Sequence, residues 1–257
     1  MHFVFFGDSF TAGEELLDYK FYNNYPSPVS FFELQQDVNK GWKQKNKSVR
    51  EILSRERFEK LECEQKLHTY AHKLSIMVGS PYDNFAVGGM GLARCHHELI
   101  NYVNRFPERK LTVFIQPPSY KRWLEFVDNK WKNYIITSEP QSLLEKDYFK
   151  FKIINNTEHS RFIEWYITLQ SIYDFCENAE NIQKFYFINY GIFNEITGKK
   201  ENDSFVRGYE KLYEKIKTKL FHFPHTLDLD KPNFLPYGHV VEENHEQLAI
   251  AIHEELY

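Results

Sequence analysis

The chain has 257 residues, 32 Lys and Arg against 36 Asp and Glu, a formal net charge of −4 and 42% hydrophobic residues. These values describe a globular chain long enough for one large domain. They exclude a strongly basic nucleic-acid binder, and no apolar run is long enough to form a membrane-spanning helix. Cys63, Cys95 and Cys176 are odd in number and lack paired spacing, so reduced core thiols are expected rather than a zinc site or a disulfide framework. Rings make up 17% of the chain, which fits either a core of large side chains or a surface for stacking sugars or bases.

The apolar run Phe3-Val4-Phe5-Phe6 ends at Gly7 and is short and bulky, as expected of a strand buried on both faces of a parallel sheet. Ligands of open α/β sheets bind beyond the carboxyl ends of the strands, so Ser9 stands where chemistry is done. Asp8 or Ser9 could equally cap a helix beginning near Glu14. Met1-His2-Phe3 enters this strand with no basic segment or small-residue cleavage site, so a cytoplasmic location is expected.

From 20 to 66 an insertion is expected. Lys40, Lys43, Lys45, Lys47 and Arg50 surround Trp42, a pattern that could grip a phosphate backbone. Glu51, Glu56, Glu59, Glu62 and Glu64 follow at once and offset those charges, which favours a solvated, mobile segment with a helix over 54–66 and makes nucleic acid an unfavoured partner. Leu67, Tyr70, Ala71, Leu74 and Val78 then keep helical spacing, with Gly79 as the stop.

A short strand over 83–87 enters the glycine loop Gly88-Gly89-Met90-Gly91, whose exposed N–H groups could face a developing oxyanion. A helix through 99–106 and a buried strand over 111–115 follow, the latter ending at Gln116-Pro117-Pro118. Tyr120-Lys121-Arg122-Trp123 adds a cation and rings near this edge, and 128–159 lacks periodicity and is expected to be an insertion over the active face that could serve as a lid. Residues 161–178 read as an amphipathic helix and 184–190 as a further strand. Alternating strands and helices without repeat or linker predict a single domain with a doubly wound parallel sheet, a three-layer α/β/α sandwich of flavodoxin-like type.

Near the C-terminus, Gly238-His239 opens a loop before a final helix. A neutral loop imidazole there could accept a serine proton and later protonate a leaving group.

Gly7-Asp8-Ser9-Phe10-Thr11-Ala12-Gly13-Glu14 resembles the first block of the SGNH (GDSL) hydrolases, and Asn84-Phe85-Ala86-Val87-Gly88-Gly89 is similar to their second. His239, with His245 six residues on and Ala249 four further, reproduces the spacing of their fifth. The Asn-, Lys- and aromatic-rich composition is similar to GDSL-type proteins of large tailed phages. The resemblance implies Ser9 as nucleophile, His239 as base, His245 as a structural residue of the last helix, and the N–H groups of Ser9 and Gly89 in the oxyanion hole.

Two positions depart from the family pattern. Its third block carries a Gly-x-Asn-Asp string where this chain has Gln116-Pro117-Pro118-Ser119; Gln116 offers the same kind of amide donor, or it satisfies backbone groups beside the prolines. The position three residues before His239 holds Pro236 in place of the family's aspartate. Asp230, or Asp228, could orient the ring from elsewhere, and a backbone carbonyl would leave a Ser9–His239 dyad in hydrogen-bond contact. The reading that follows is an ester hydrolase without metal or organic cofactor, acting on a small ester such as an O-acetylated carbohydrate. Its rival is a catalytically silent protein that binds a glycan or a protein in the same cleft.

Overall fold

The computed structural model describes residues 1–120, 122–127, 130–135, 158–190, 204–224 and 228–257. The chain runs through β1 (His2–Phe6), α1 (Ser9–Ala12), α2 (Phe31–Gln35), α3 (Lys40–Lys45), α4 (Val49–Ile52), α5 (Arg55–Lys66), α6 (Tyr70–Val78) and β2 (Tyr82–Asn84). It continues through α7 (Leu92–Arg105), β3 (Leu111–Ile115), β4 (Arg122–Val127), β5 (Lys130–Ile135), α8 (Glu158–Asn178), β6 (Ile182–Asn189), α9 (Ser204–Ile216), β7 (Leu220–His222) and α10 (Glu242–Leu256).

Five strands form one parallel sheet in the order β2-β1-β3-β6-β7, while β4 and β5 pair antiparallel in a separate ribbon. The expected doubly wound α/β sandwich is therefore the observed fold. The order reverses between β1 and β3, so the crevice at their carboxyl ends is the natural site for a ligand.

Strand geometry sends successive side chains to opposite faces, and β1 fills both. Val4 and Phe6 join Leu99, Val113, Leu169, Phe187 and Leu212 under α7, α8 and α9. Phe3 and Phe5 join Tyr70, Leu74, Phe114, Leu248 and Ile252 under α6 and α10. Register places Phe5 opposite Phe114 and Phe114 opposite Tyr186. Their rings stack at 4.8 and 5.6 Å, so much of the aromatic content forms a ladder through the core.

His245 is structural as the resemblance implied. It is buried, its ring lies parallel to that of Tyr70, and its Nδ1 accepts the Tyr70 N–H at 3.3 Å, pinning α10 to α6.

Several expectations need correction. The 40–66 segment is a packed unit: Val49 and Leu61 are buried against Leu17. Trp42 packs edge-on against the rings of Tyr22, Tyr25 and Tyr237, which accounts for it without a phosphate. Cys63 is exposed on α5, whereas Cys95 and Cys176 are buried thiols. The strand expected over 83–87 ends at Asn84, and α7 begins at Leu92 rather than near Leu99. The insertion expected over 128–159 falls largely outside the described residues; β5 and the start of α8 lie within it. Among the described residues, no helix is long and apolar enough to cross a membrane.

Phe5 is fully buried and touches Phe3, Tyr70 and Phe114 on three elements. Phe5→Ala should cost about 3–5 kcal/mol of unfolding free energy in denaturant titration, and a loss below about 1 kcal/mol would contradict this packing.

Candidate active site

The turn after β1 is set by close approach. A Cβ on Gly7 would stand 2.6 Å from Thr11 Oγ1 and 2.8 Å from Gln116 Oε1, so a side chain there would drive those groups apart. Asp8 caps α1, its Oδ1 accepting the Phe10 N–H at 3.2 Å, and Ser9 is the helix's first residue. Both readings of this stretch thus hold: Asp8 is a cap, and Ser9 stands beyond the carboxyl end of the central strand. Ser9 is only 4% exposed, and its N–H makes no hydrogen bond among the described residues.

Gln116 follows β3 directly and is buried beside this turn. Its Oε1 accepts the Asp8 N–H and the Thr11 hydroxyl, each at 3.1 Å. An N–H cannot be accepted by an amide nitrogen, so these bonds fix which end of the amide is which. The Nε2 end is left without a partner among the described residues. Gln116 therefore braces the turn with its oxygen and keeps two N–H donors unspent.

The glycine loop joins the same turn through Val87 N–H to Gly7 O at 3.3 Å. Asn84 Nδ2 adds a bond to Thr11 O at 3.2 Å. The N–H groups of Gly88 and Gly89 make no hydrogen bond among the described residues.

His239 sits on a tight loop before α10. Leu235 N–H donates to His239 O at 2.7 Å and Gly238 N–H to Leu235 O at 2.8 Å, a bend for which Gly238 adopts φ +98°. Phe234 bridges Val29 and Val240, and the Tyr190 hydroxyl donates to Gly238 O at 3.1 Å. The loop is thereby tied to the end of β6.

The imidazole meets two carboxylates, both from the segment just after α1. Nδ1 lies 3.1 Å from Glu15 Oε2, and Nε2 lies 3.8 Å from Glu14 Oε2. The Phe10 ring stands 5.1 Å from the imidazole. Burial pushes the His239 pKa down, but the bond to Glu15 and the charges of Glu15, Glu14 and Asp8 outweigh it, leaving the ring more basic than a free imidazole.

Glu15 is where the structure departs most from the sequence reading. Asp230, the expected partner of His239, is exposed and makes no hydrogen bond to it among the described residues. Asp228 is paired with Lys231 at 3.1 Å. A hydrogen bond between Ser9 and His239 is also absent among the described residues; Nε2 lies 3.8 Å from Glu14 Oε2 instead. The available signal was the pair of acids after Gly13, but acids near the start of a helix are ordinary and gave no reason to choose them.

Glu14 lies against Gly88, and its Oε1 is buried without a hydrogen-bond partner among the described residues. Glu14, Glu15, Asp18, Arg50, Tyr237 and His239 border a cavity of about 230 Å³ between the N-terminal segment and the 40–66 unit. Asp18 is buried there, accepting from Gln65 Nε2 at 3.3 Å, and burial together with the Glu15 charge raises its pKa to about 7. Among the described residues, no group of three His, Cys, Asp or Glu is arranged to hold a metal ion.

No protein-family model matches the chain, and no curated protein matches it. Among solved structures, the chain is similar to a protein from Desulfitobacterium hafniense DCB-2 provisionally described as a lipolytic protein of the G-D-S-L family. That match has 10% identity and a TM-score of 0.45, covering 98% of each chain. It is also similar to a carbohydrate esterase whose active site is described as having divergent catalytic and non-catalytic binding functions. Here identity is 12% and the TM-score 0.45, over 99% of this chain and 64% of that one, so the chain spans under two thirds of that esterase's length. Neither match supports the phage resemblance, and the functional reading rests on the site itself.

Asp18 supplies a pH test. Its folded pKa of about 7 exceeds the ordinary 3.8, so its favourable contribution is present below about pH 4 and is lost as pH rises towards 7. Asp18→Asn keeps the acceptor for Gln65 and removes this loss. Thermal melts from pH 5 to 8 should show the variant gaining on the wild type as pH rises; a difference independent of pH would contradict a buried, proton-binding Asp18.

Proposed function

We propose that the chain is a serine ester hydrolase of SGNH type, with Ser9 as nucleophile and His239 as general base. The observation that carries this reading is the gathering, beyond the carboxyl ends of β1 and β3, of a braced serine, unspent N–H donors and a histidine kept basic by carboxylates.

On this reading Ser9 Oγ attacks the ester carbonyl while Nε2 of His239 takes its proton. The N–H groups of Ser9 and Gly89, with Gln116 Nε2, receive the oxyanion. Collapse expels the alcohol, which takes the proton back from His239, and water then releases the acyl group by the same route in reverse. For the proton to move, Nε2 exchanges its Glu14 neighbour for the Ser9 hydroxyl as substrate enters.

Glu14 and Glu15 beside His239 suit a neutral, hydroxyl-bearing alcohol better than an anionic one, consistent with an O-acetylated carbohydrate. The rival binding protein is favoured by one observation, the Glu14 carboxylate beside Nε2 where a serine proton would have to arrive.

A fluorophosphonate probe separates the two, because a serine reacts with it readily when a neighbouring base activates it. Labelling of the wild type at Ser9, lost in Ser9→Ala, is expected; folded protein that takes no label would leave the binding reading in place. For the oxyanion hole, Gln116→Glu keeps the acceptor used by Asp8 and Thr11 but removes the donor and adds negative charge. It should lower kcat by about 10²–10³-fold and, as a second carboxylate buried beside Asp8, lower the melting temperature as well; an unchanged kcat in the folded variant would remove Gln116 from the mechanism.

A further inference from the structure

We propose that Glu15 is the positioning carboxylate of His239, so that the acid completing the site comes from the N-terminal segment, six residues after Ser9, and not from the loop that carries the histidine. The proposal rests on the reading of Ser9 and His239 as the catalytic pair.

Four donors converge on this one side chain. Oε2 receives His239 Nδ1 at 3.1 Å and the His239 N–H at 3.4 Å. Oε1 receives the Tyr237 N–H at 2.7 Å and the Tyr25 hydroxyl at 2.5 Å. Burial and the Glu15 charge raise the Tyr25 phenol well above its ordinary value, so it remains a donor. Backbone and ring of His239 are thus bound to the same oxygen, which fixes the ring's direction, keeps the proton on Nδ1 and leaves Nε2 as the basic atom.

The backbone supports the same conclusion. Glu15 is 4% exposed and has φ +72°, a conformation that glycine adopts at less cost. A glutamate held there against that preference is explained by what its side chain binds. The bend follows the left-handed Gly13 cap of α1 and turns the carboxylate back toward the 237–239 loop.

A structural clamp would give the same contacts, so the test must read the imidazole. The other groups facing it, Glu14 and Asp8 from the nucleophile segment, Asp18 beyond Glu15 and Tyr237 from its own loop, are kept intact. Hydrolysis of p-nitrophenyl acetate by the wild type, Ser9→Ala, Glu15→Gln, Glu15→Asp and Asp230→Asn is followed across pH. In one serine protease, loss of the acid with geometry kept costs about 10⁴-fold in kcat, so Glu15→Gln should lose about 10³–10⁴-fold with KM little altered. Its acid limb of kcat/KM should move to lower pH, since the carboxylate's upward pull is gone while burial remains. Glu15→Asp should recover part of the rate, and Asp230→Asn should match the wild type.

A Glu15→Gln enzyme with wild-type kcat and pH profile, beside an inactive Ser9→Ala, would overturn the proposal while leaving the hydrolase reading standing. Activity undiminished in Ser9→Ala would overturn that reading, and the proposal with it. If Glu15→Gln does not fold, the wild-type proton NMR spectrum decides: a far-downfield Nδ1 proton signal, lost in His239→Gln, is expected, and its absence would overturn the assignment.

Discussion

Withdrawing the Glu15 carboxylate from water costs several kcal/mol unless its lone pairs are matched, and this constraint links parts of the chain that are far apart in sequence. Its four donors come from the 22–25 turn and from the 237–239 loop. Hydrogen bonds to a charged group contribute about 1.5–3 kcal/mol each, so the set is of the size needed to offset burial. The 40–66 unit joins the same arrangement, because Trp42 packs on both Tyr25 and Tyr237, and the Tyr237 hydroxyl reaches Asn46 O at 3.4 Å. Removing the carboxylate would leave three hydrogen-bond donors and a ring without their acceptor.

A second network holds the Ser9 turn. Gln116 Oε1 serves Asp8 and Thr11, and the Thr11 hydroxyl meets the Tyr70 hydroxyl at 3.3 Å. Tyr70 in turn binds His245 on α10. The C-terminal helix therefore supports the Ser9 turn through α6, while the loop before that helix presents His239. The C-terminal end of the chain thus reaches both the Ser9 turn and the cavity that His239 borders.

The central strands were legible because their residues are buried on both faces and their runs are uninterrupted: β1 and β3 lie where the apolar pattern put them, and the α/β alternation fixed the sheet. The weaker elements were not. β7 has three residues and α9 follows a stretch with no strong apolar start, so neither stood out. At the site, Ser9 and Gln116 stand at strand ends that the apolar runs expose, while the expectations for Ser9, Gly89 and His239 came from the block resemblance; all are features local in sequence. The pairing of Glu15 with His239 spans 224 residues and depends on a left-handed bend in a non-glycine residue, which no local pattern announces. Asp228 and Asp230 are near His239 in sequence, yet the carboxylate that meets its ring comes from the other end of the chain.

Asp8, Glu14 and Glu15 surround one histidine, and their charges give the site a negative field that stabilises an imidazolium. The same field leaves Glu14 near Nε2, so the proposed proton transfer from Ser9 requires an arrangement that differs from the ligand-free one at that atom. A crystal structure of the protein after reaction with diethyl p-nitrophenyl phosphate, which loses p-nitrophenolate as a serine oxygen bonds to phosphorus and leaves a stable mimic of the tetrahedral intermediate, tests this most directly. The account predicts phosphorus bonded to Ser9 Oγ, its oxygen about 2.7–3.1 Å from Gly89 N and Gln116 Nε2, and His239 Nδ1 still on Glu15 with Nε2 turned to the adduct. An adduct on another residue, or a His239 whose Nδ1 faces any group other than Glu15, would contradict it.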